Sequence, residues 1–295
     1  MKFVALLIAL LSYCAAGGQN DAYIKLNDAG NTHPRVISIT FPGDADNMDM
    51  YNSIFGHGAV IENPWVAFRV YMDNRQSLDL YVKATPRLEL ETTGFYTTPS
   101  QIEQGYGCDV LWAGTSIGAG SFRGWQNDDV VTVDSVAFRT QTVINDSVIE
   151  VVDTDWIFNG HPLNMTQRYM MKSDKRDLEV EIQLAGYSPD DVFATGVQKF
   201  ENHEAGFVSK ELLKAASWGS NVPDKAHPEL VETVGLALLV NPANLYDIKE
   251  TENNYLFLLK PDSNGKIRYK VLACGTREKE GFRNAEQWFE YIKQQ

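Results

Sequence analysis

Two stretches of this 295-residue chain are denser in ionisable, aromatic and glycine residues than strand packing requires. The first holds His57, Glu62, Asn63, Trp65, Arg69, Tyr71, Asp79, Tyr81 and Lys83. Trp65, Ala67, Arg69 and Tyr71 alternate with Val66, Phe68, Val70 and Met72. That is the period-two pattern of a strand with one apolar and one polar-aromatic face. In the following strand Asp79, Tyr81 and Lys83 share a face. Adjacent strands then set Arg69, Tyr71, Asp79 and Lys83 side by side. Such a set hydrogen-bonds hydroxyls and pairs with a carboxylate. The same residues also fit a solvated face with ordinary cross-strand ion pairs. The second stretch, 105–125, carries Tyr106, Asp109, Trp112 and Arg123 among six glycines. Its glycine spacing fails the phosphate-loop pattern, and no Lys-Ser/Thr follows. It reads as a long loop whose backbone approaches a ligand closely, with Asp109 as base and Arg123 as carboxylate holder. A packed Ω-like loop with Asp109 as a structural cap is the competing reading.

The residue types support three chemistries. Glycoside hydrolysis needs two carboxylates flanking the bond, and Glu62, Asp79 and Asp109 are the candidates. Elimination from a uronate needs a base and a group that neutralises the sugar carboxylate. His57, Tyr71 and Tyr106 supply the first role; Arg69, Lys83 and Arg123 supply the second. An epimerase or mutarotase needs an acid–base pair, for which His57 with Glu62 or Asp109 serves. His161, after the turn Asn159-Gly160, and Arg168 in the next strand are further substrate-binding candidates. No HExxH, Cys/His array or EF-hand occurs, so neither a metal nor a cofactor is expected. The run Asp44, Asp46, Asp49 reads more simply as a solvated loop than as a calcium site.

The elements that position these residues read as strands. Apolar, β-branched or alternating segments recur at 36–41, 66–72, 78–83, 130–138, 140–152, 166–171, 178–184, 192–200, 233–240, 255–259 and 267–273. Turn signals such as Asn145-Asp146 and Asp262-Ser263-Asn264-Gly265 separate them. This predicts an all-β fold, a large antiparallel β-sandwich. Helical pattern is confined to a short helix expected over 208–216 and a C-terminal one over Asn284–Lys293. A basic start, the apolar run Phe3–Leu11 and small residues at 15–18 read as a signal peptide over 1–18, followed by one domain over 19–295. Cys14 behind Tyr13 is a poor lipoprotein site, so the chain is expected to be periplasmic or secreted, with lipid anchoring the weaker alternative. No later run spans a membrane. Cys108 and Cys274 either pair or stay as buried thiols. A net charge of -13 argues against nucleic acid and anionic membranes as partners. Aromatic content of 11% suits a β-rich protein and a carbohydrate ligand.

Six strings carry a family resemblance: Phe41-Pro-Gly-Asp-Ala-Asp-Asn-Met-Asp-Met-Tyr, Gly56-His-Gly, Glu62-Asn63, Ala67-Phe-Arg-Val-Tyr, Asp79-Leu-Tyr-Val-Lys and Gly107-Cys-Asp-Val-Leu-Trp-Ala-Gly. In this order they resemble the family named domain of unknown function 4861. The resemblance runs from about residue 35 onward. It implies a sandwich of the galactose-mutarotase type (a supersandwich). It also implies an exported protein of Bacteroidota polysaccharide utilisation, encoded beside enzymes acting on unsaturated uronic acids. Many relatives carry Tyr-His before the Gly-rich loop; here Phe95-Tyr96-Thr97-Thr98 stands there, so that histidine's role is not carried over. Together these readings give a carbohydrate-active protein, expected to be a lyase or hydrolase on uronate-containing oligosaccharides. Its catalytic set is His57, Tyr71, Asp79, Tyr106 and Asp109. A non-catalytic carbohydrate binder and a sugar epimerase are the alternatives.

Overall fold

The computed structural model of the chain describes residues 19–42, 51–114, 116–221 and 231–295. The leader at 1–18 with Cys14, the acidic run at 44–49 and His227 lie outside the described residues.

Antiparallel sheets dominate. A six-stranded sheet runs in the order Arg35–Val36, Asp21–Lys25, Gly58–Glu62, Val66–Tyr71, Leu78–Val82, Cys108–Asp109. A nine-stranded sheet runs Asn202–Ser209, Lys214–Ser220, Val234–Val240, Lys266–Gly275, Asp177–Ala185, His161–Met171, Val148–Phe158, Phe138–Asn145, Ser38–Pro42. A five-stranded sheet runs Leu245–Glu250, Asn254–Leu259, Val192–Gln198, Arg123–Gln126, Asp129–Val131. The inward-pointing alternate residues of all three meet in one core. It includes Phe68 and Leu80 of the first sheet, Val151 and Ile182 of the second, and Phe193 and Phe257 of the third. Each such side chain contributes about 1.5–3 kcal/mol of transfer free energy. The architecture is the expected large antiparallel sandwich.

Polar clamps set the six-stranded sheet over the nine-stranded one. Gln141 accepts from the Ala59 amide at 2.9 Å and donates to the Val70 carbonyl at 2.9 Å. Arg139 is fully buried; it pairs with Asp153 and donates to the Asp73 and Val133 carbonyls. Buried polar groups persist only when paired. The bonds to the Val70 and Asp73 carbonyls restrain the backbone at the 71–77 turn, which carries the site hairpin.

Three local expectations change. The helix expected over 208–216 is a hairpin: Asn202–Ser209 pairs with Lys214–Ser220, and Leu213 sits in the turn at φ 58. Its apolar residues serve two covered faces, Ala215 in the main core and Ala216 and Trp218 beneath the C-terminal helix. Two-sided burial imitates helical spacing. The strand expected over 130–138 stops at Val131 and resumes at Phe138, with Val133 and Val136 buried from the connection between them. The run 140–152 folds back at Asn145-Asp146 into two strands.

The C-terminal helix, Ala285–Gln294, begins where Asn284 accepts from the Gln287 amide at 3.0 Å, a standard N-cap. Trp288 and Ile292 pack on Ala237 and Cys274, and the Trp288 indole donates to the Leu236 carbonyl at 3.2 Å. Gly235 permits this contact, because a Cβ there would stand 2.7 Å from the indole nitrogen. Cys108 and Cys274 are both buried and form no disulfide. No helix among the described residues is long and apolar enough to cross a membrane.

Candidate functional site

The face of the six-stranded sheet turned away from the core carries the polar alternates. Register places Arg69 opposite Asp79 and Tyr81 opposite Asp109. Residues 84–107 fold over this face, and Leu90 and Phe95 seal it against Val60, Ala67 and Tyr81.

Arg69 is the centre. Its residue is 1% exposed. The Arg69 Nη2 donates to the Tyr71 hydroxyl at 2.6 Å, to Asp79 Oδ2, and to Asp109 Oδ2 at 3.4 Å. The Arg69 Nη1 donates to the Tyr96 hydroxyl at 3.0 Å. Tyr71 also donates to Asp79 Oδ2 at 3.1 Å. The guanidinium lies 4.1 Å from the Phe95 ring centre and 4.7 Å from that of Tyr71. Gly56, at φ +73, sits 3.6 Å from the guanidinium when measured from the position of a Cβ.

One cation thus faces two carboxylates in a desolvated setting, and both cannot stay charged cheaply. Burial, then the neighbouring Asp79 charge, hold the Asp109 carboxyl well above the usual range, against the pull of Arg69. Of the pair, Asp109 is therefore the one held toward its protonated form. Its side chain is 12% exposed against 3% for Asp79, so it stands at the open edge of the cluster. Burial, reinforced by Asp79, also pushes the Tyr71 phenol far up, which keeps its proton on.

His57 flanks this cluster through an aromatic stack. Its ring lies 4.2 Å from that of Tyr51, nearly parallel, and 6.5 Å from that of Tyr71. Its backbone is left-handed, at φ 67. Burial holds the imidazole below its usual value, so it is neutral near pH 7, and its Nδ1 is buried without a partner.

Lys83 shares the sheet face with Arg69 but belongs to a second, closed cluster. It pairs with Glu62 and donates to the Asn63 and Arg87 carbonyls at 2.6 and 2.7 Å. Both side chains are 1% exposed. Glu62 also accepts from the Glu89 and Leu90 amides, at 2.6 and 3.2 Å, which anchors the covering segment. Tyr81 is buried there, its hydroxyl 3.1 Å from that of Thr97. Asn63 holds the next turn by accepting from the Trp65 and Val66 amides. Trp65 lies in that turn rather than in the row with Arg69 and Tyr71, and it faces Arg176. Tyr106 stacks on Arg87 at 4.0 Å.

Trp112, three residues past Asp109, is 62% exposed, and Tyr96 is 56% exposed. The Trp112 carbonyl is held by Asn221 at 2.8 Å. Arg123 is buried yet lines a cleft of about 420 Å³ together with Arg75, Ser116 and Asn254. Its guanidinium donates to the Phe122 carbonyl at 2.9 Å and to Ser77 Oγ at 3.3 Å, and among the described residues it pairs with no carboxylate. Burial pushes it down to about 10. His161 pairs with Asp191 at 3.0 Å, and Arg168 with Glu150 at 2.8 Å, both on the nine-stranded sheet. The structure therefore gathers Arg69, Tyr71, Asp79 and Asp109, with His57 beside them. It separates Lys83, Glu62, Tyr81, Tyr106, Trp65, His161 and Arg168 from them.

Tyr51, Phe95 and Tyr96 join the site without a role in the sequence reading. Tyr51 ends the first motif string and Phe95-Tyr96 occupies the place of a family motif, which was the only signal available. No group of three or more potential metal-ligating residues clusters among the described residues.

A family profile described as "Domain of unknown function (DUF4861)" matches residues 19–295. No curated protein sequence matches the chain. Among solved structures, a provisionally assigned kojibiose phosphorylase from the human microbiome superposes at a TM-score of 0.51 and 7% identity. It covers 94% of this chain, which spans 36% of that one. A TPR-domain containing protein from Parabacteroides distasonis gives 0.38 at 9% identity, over 92% of this chain and 59% of that one. A provisionally assigned aldose 1-epimerase from Klebsiella pneumoniae gives 0.35 at 8% identity, over 93% and 94%. The first likeness bears on the fold alone; the other two are too weak to argue from.

Proposed function

The chain belongs to the DUF4861 family, and from that premise we propose that it is an exported carbohydrate-active enzyme, one domain over 19–295 behind a removed leader, that cleaves uronate-containing oligosaccharides by elimination. The observation that carries this reading is the placement of Asp109 at the edge of the Arg69 cluster, where burial and the neighbouring Asp79 favour its protonated form. A carboxylic acid kept neutral by its surroundings delivers a proton at neutral pH. In this role Asp109 protonates the leaving glycosidic oxygen, and neutral His57 removes the proton beside the sugar carboxylate. Arg69 and Asp79 fix Asp109 and Tyr71.

Arg69 and Lys83 are occupied by their own carboxylates, so the sugar carboxylate falls to Arg123 in its cleft beside Arg75. Elimination is favoured over inverting hydrolysis by the carboxylate spacing and over retaining hydrolysis by the closure around Asp79. Inverting hydrolysis needs roughly 6.5–9.5 Å between carboxylates to admit water, whereas Asp79 and Asp109 reach one nitrogen. Asp79 is also closed in by Arg69, Tyr71 and the Leu80 amide, which leaves it no approach to an anomeric carbon.

The test is incubation with pectin- and ulvan-type oligosaccharides, following the ultraviolet absorbance of unsaturated uronate. Asp109→Asn should lower turnover by roughly 10²-fold or more. Unchanged turnover in that variant would remove the assignment. A non-catalytic binder is the second reading, favoured by the exposed Trp112 and Tyr96 rings beside a nearly closed polar cluster. Calorimetric binding with no new product would establish it.

A further inference from the structure

A broad cleft lies away from the Arg69 cluster, on the outer face of the nine-stranded sheet beside the C-terminal helix. Its volume is about 820 Å³, which suits several sugar rings. Trp65, Phe282 and Tyr291 supply ring surfaces to its wall. Arg176 braces that wall: it sits 5.3 Å from the Trp65 ring centre and 5.4 Å from that of Phe282, while gripping Glu278 through both terminal nitrogens at 2.7 Å.

Asp177 also lines this cleft. Its side chain is 10% exposed, and Lys270 approaches only one oxygen, Oδ2, at 3.5 Å. The other oxygen, Oδ1, is buried without a hydrogen-bond partner. A buried carboxylate oxygen left without a donor is costly. The cost is relieved when a ligand brings a donor. Four carboxylates and four cationic side chains line the cleft, so its side-chain charge balances. That disfavours a polyanion or a polycation as occupant. A neutral ligand with hydroxyl donors on its edges and flat apolar faces meets all three conditions.

We propose that this cleft is a second carbohydrate site, which binds neutral saccharide without cleaving it, Asp177 accepting from a sugar hydroxyl and Tyr291 and Trp65 bounding the ring. It goes beyond the elimination reading and does not depend on it.

The experiment is affinity electrophoresis of the full chain through gels containing neutral xylan, galactan or mannan, with polygalacturonate as the charged comparison. Wild type should be retarded in at least one neutral gel. Asp177→Asn and Tyr291→Ala should each weaken that retardation about tenfold, with thermal midpoints confirming that both fold, whereas Asp109→Asn should keep it. Turnover of short uronate oligosaccharides should be unchanged by Asp177→Asn. The proposal is overturned if wild type is retarded in no neutral gel, or if both cleft variants match wild type. Loss of turnover in Asp109→Asn with retardation unaffected tests the two sites separately: either can fail while the other stands.

Discussion

Replacing Asp109 by Asn isolates the proton on which the site depends. The substitution keeps shape and an acceptor for the Leu111 amide, 3.2 Å away, and removes the ionisable group. Asp109 has a folded-state pKa raised by burial and by Asp79. A raised pKa means that the folded state holds the proton more tightly than the unfolded chain. The stabilisation is fully present below the unfolded value of about 3.9 and is lost as pH rises through the folded value. Each pKa unit of elevation corresponds to about 1.4 kcal/mol. Wild type should therefore lose stability with rising pH over that window, and Asp109→Asn should lose less. For a chain of this size, 1 kcal/mol moves the midpoint by about 2–4 °C. Thermal melts from about pH 4 to about pH 8 would show the two curves converging in acid, with the variant at or above wild type near neutrality. Parallel curves, or a variant less stable than wild type at every pH, would refute a protonated Asp109.

Other substitutions separate the buried clusters. Lys83→Met leaves Glu62 buried without its cation and should cost about 3–5 kcal/mol in chemical denaturation, whereas Lys172→Met, which breaks an exposed pair with Glu179, should leave the denaturation midpoint nearly unchanged. Trp288→Ala should cost about 3–5 kcal/mol, read as a loss in denaturation midpoint, because the indole is fully buried on Gly235 and Leu236. Cys108 and Cys274 have thiols pushed up by burial, so native-state labelling should proceed only at the rate of unfolding. Rapid labelling of either would contradict their placement.

The alternation at 65–72 and 78–83 was enough to place Arg69, Tyr71 and Asp79 on one sheet face, because a period of two leaves a strand no other choice. What it did not carry was which of those residues would be open. Lys83 and Arg69 look alike as cations in neighbouring strands. Only the covering segment 84–107 separates them, by delivering the Glu89 and Leu90 amides to Glu62 and the Phe95 and Tyr96 rings to Arg69. That segment has two short helices and no strong periodicity, so its path depends on tertiary contacts. The mistaken helix at 208–216 has the same origin, since a hairpin covered on both faces hides its alternation. Trp65 continues the odd-numbered pattern in sequence but precedes the strand, where Asn63 turns the chain.

Mass spectrometry of the products from a uronate-containing oligosaccharide distinguishes elimination by Asp109 from hydrolysis. Elimination gives fragments whose masses add up to that of the substrate, formed by wild type and reduced at least a hundredfold with folded Asp109→Asn. Fragments carrying an added water, or equal yields from the two proteins, would contradict it.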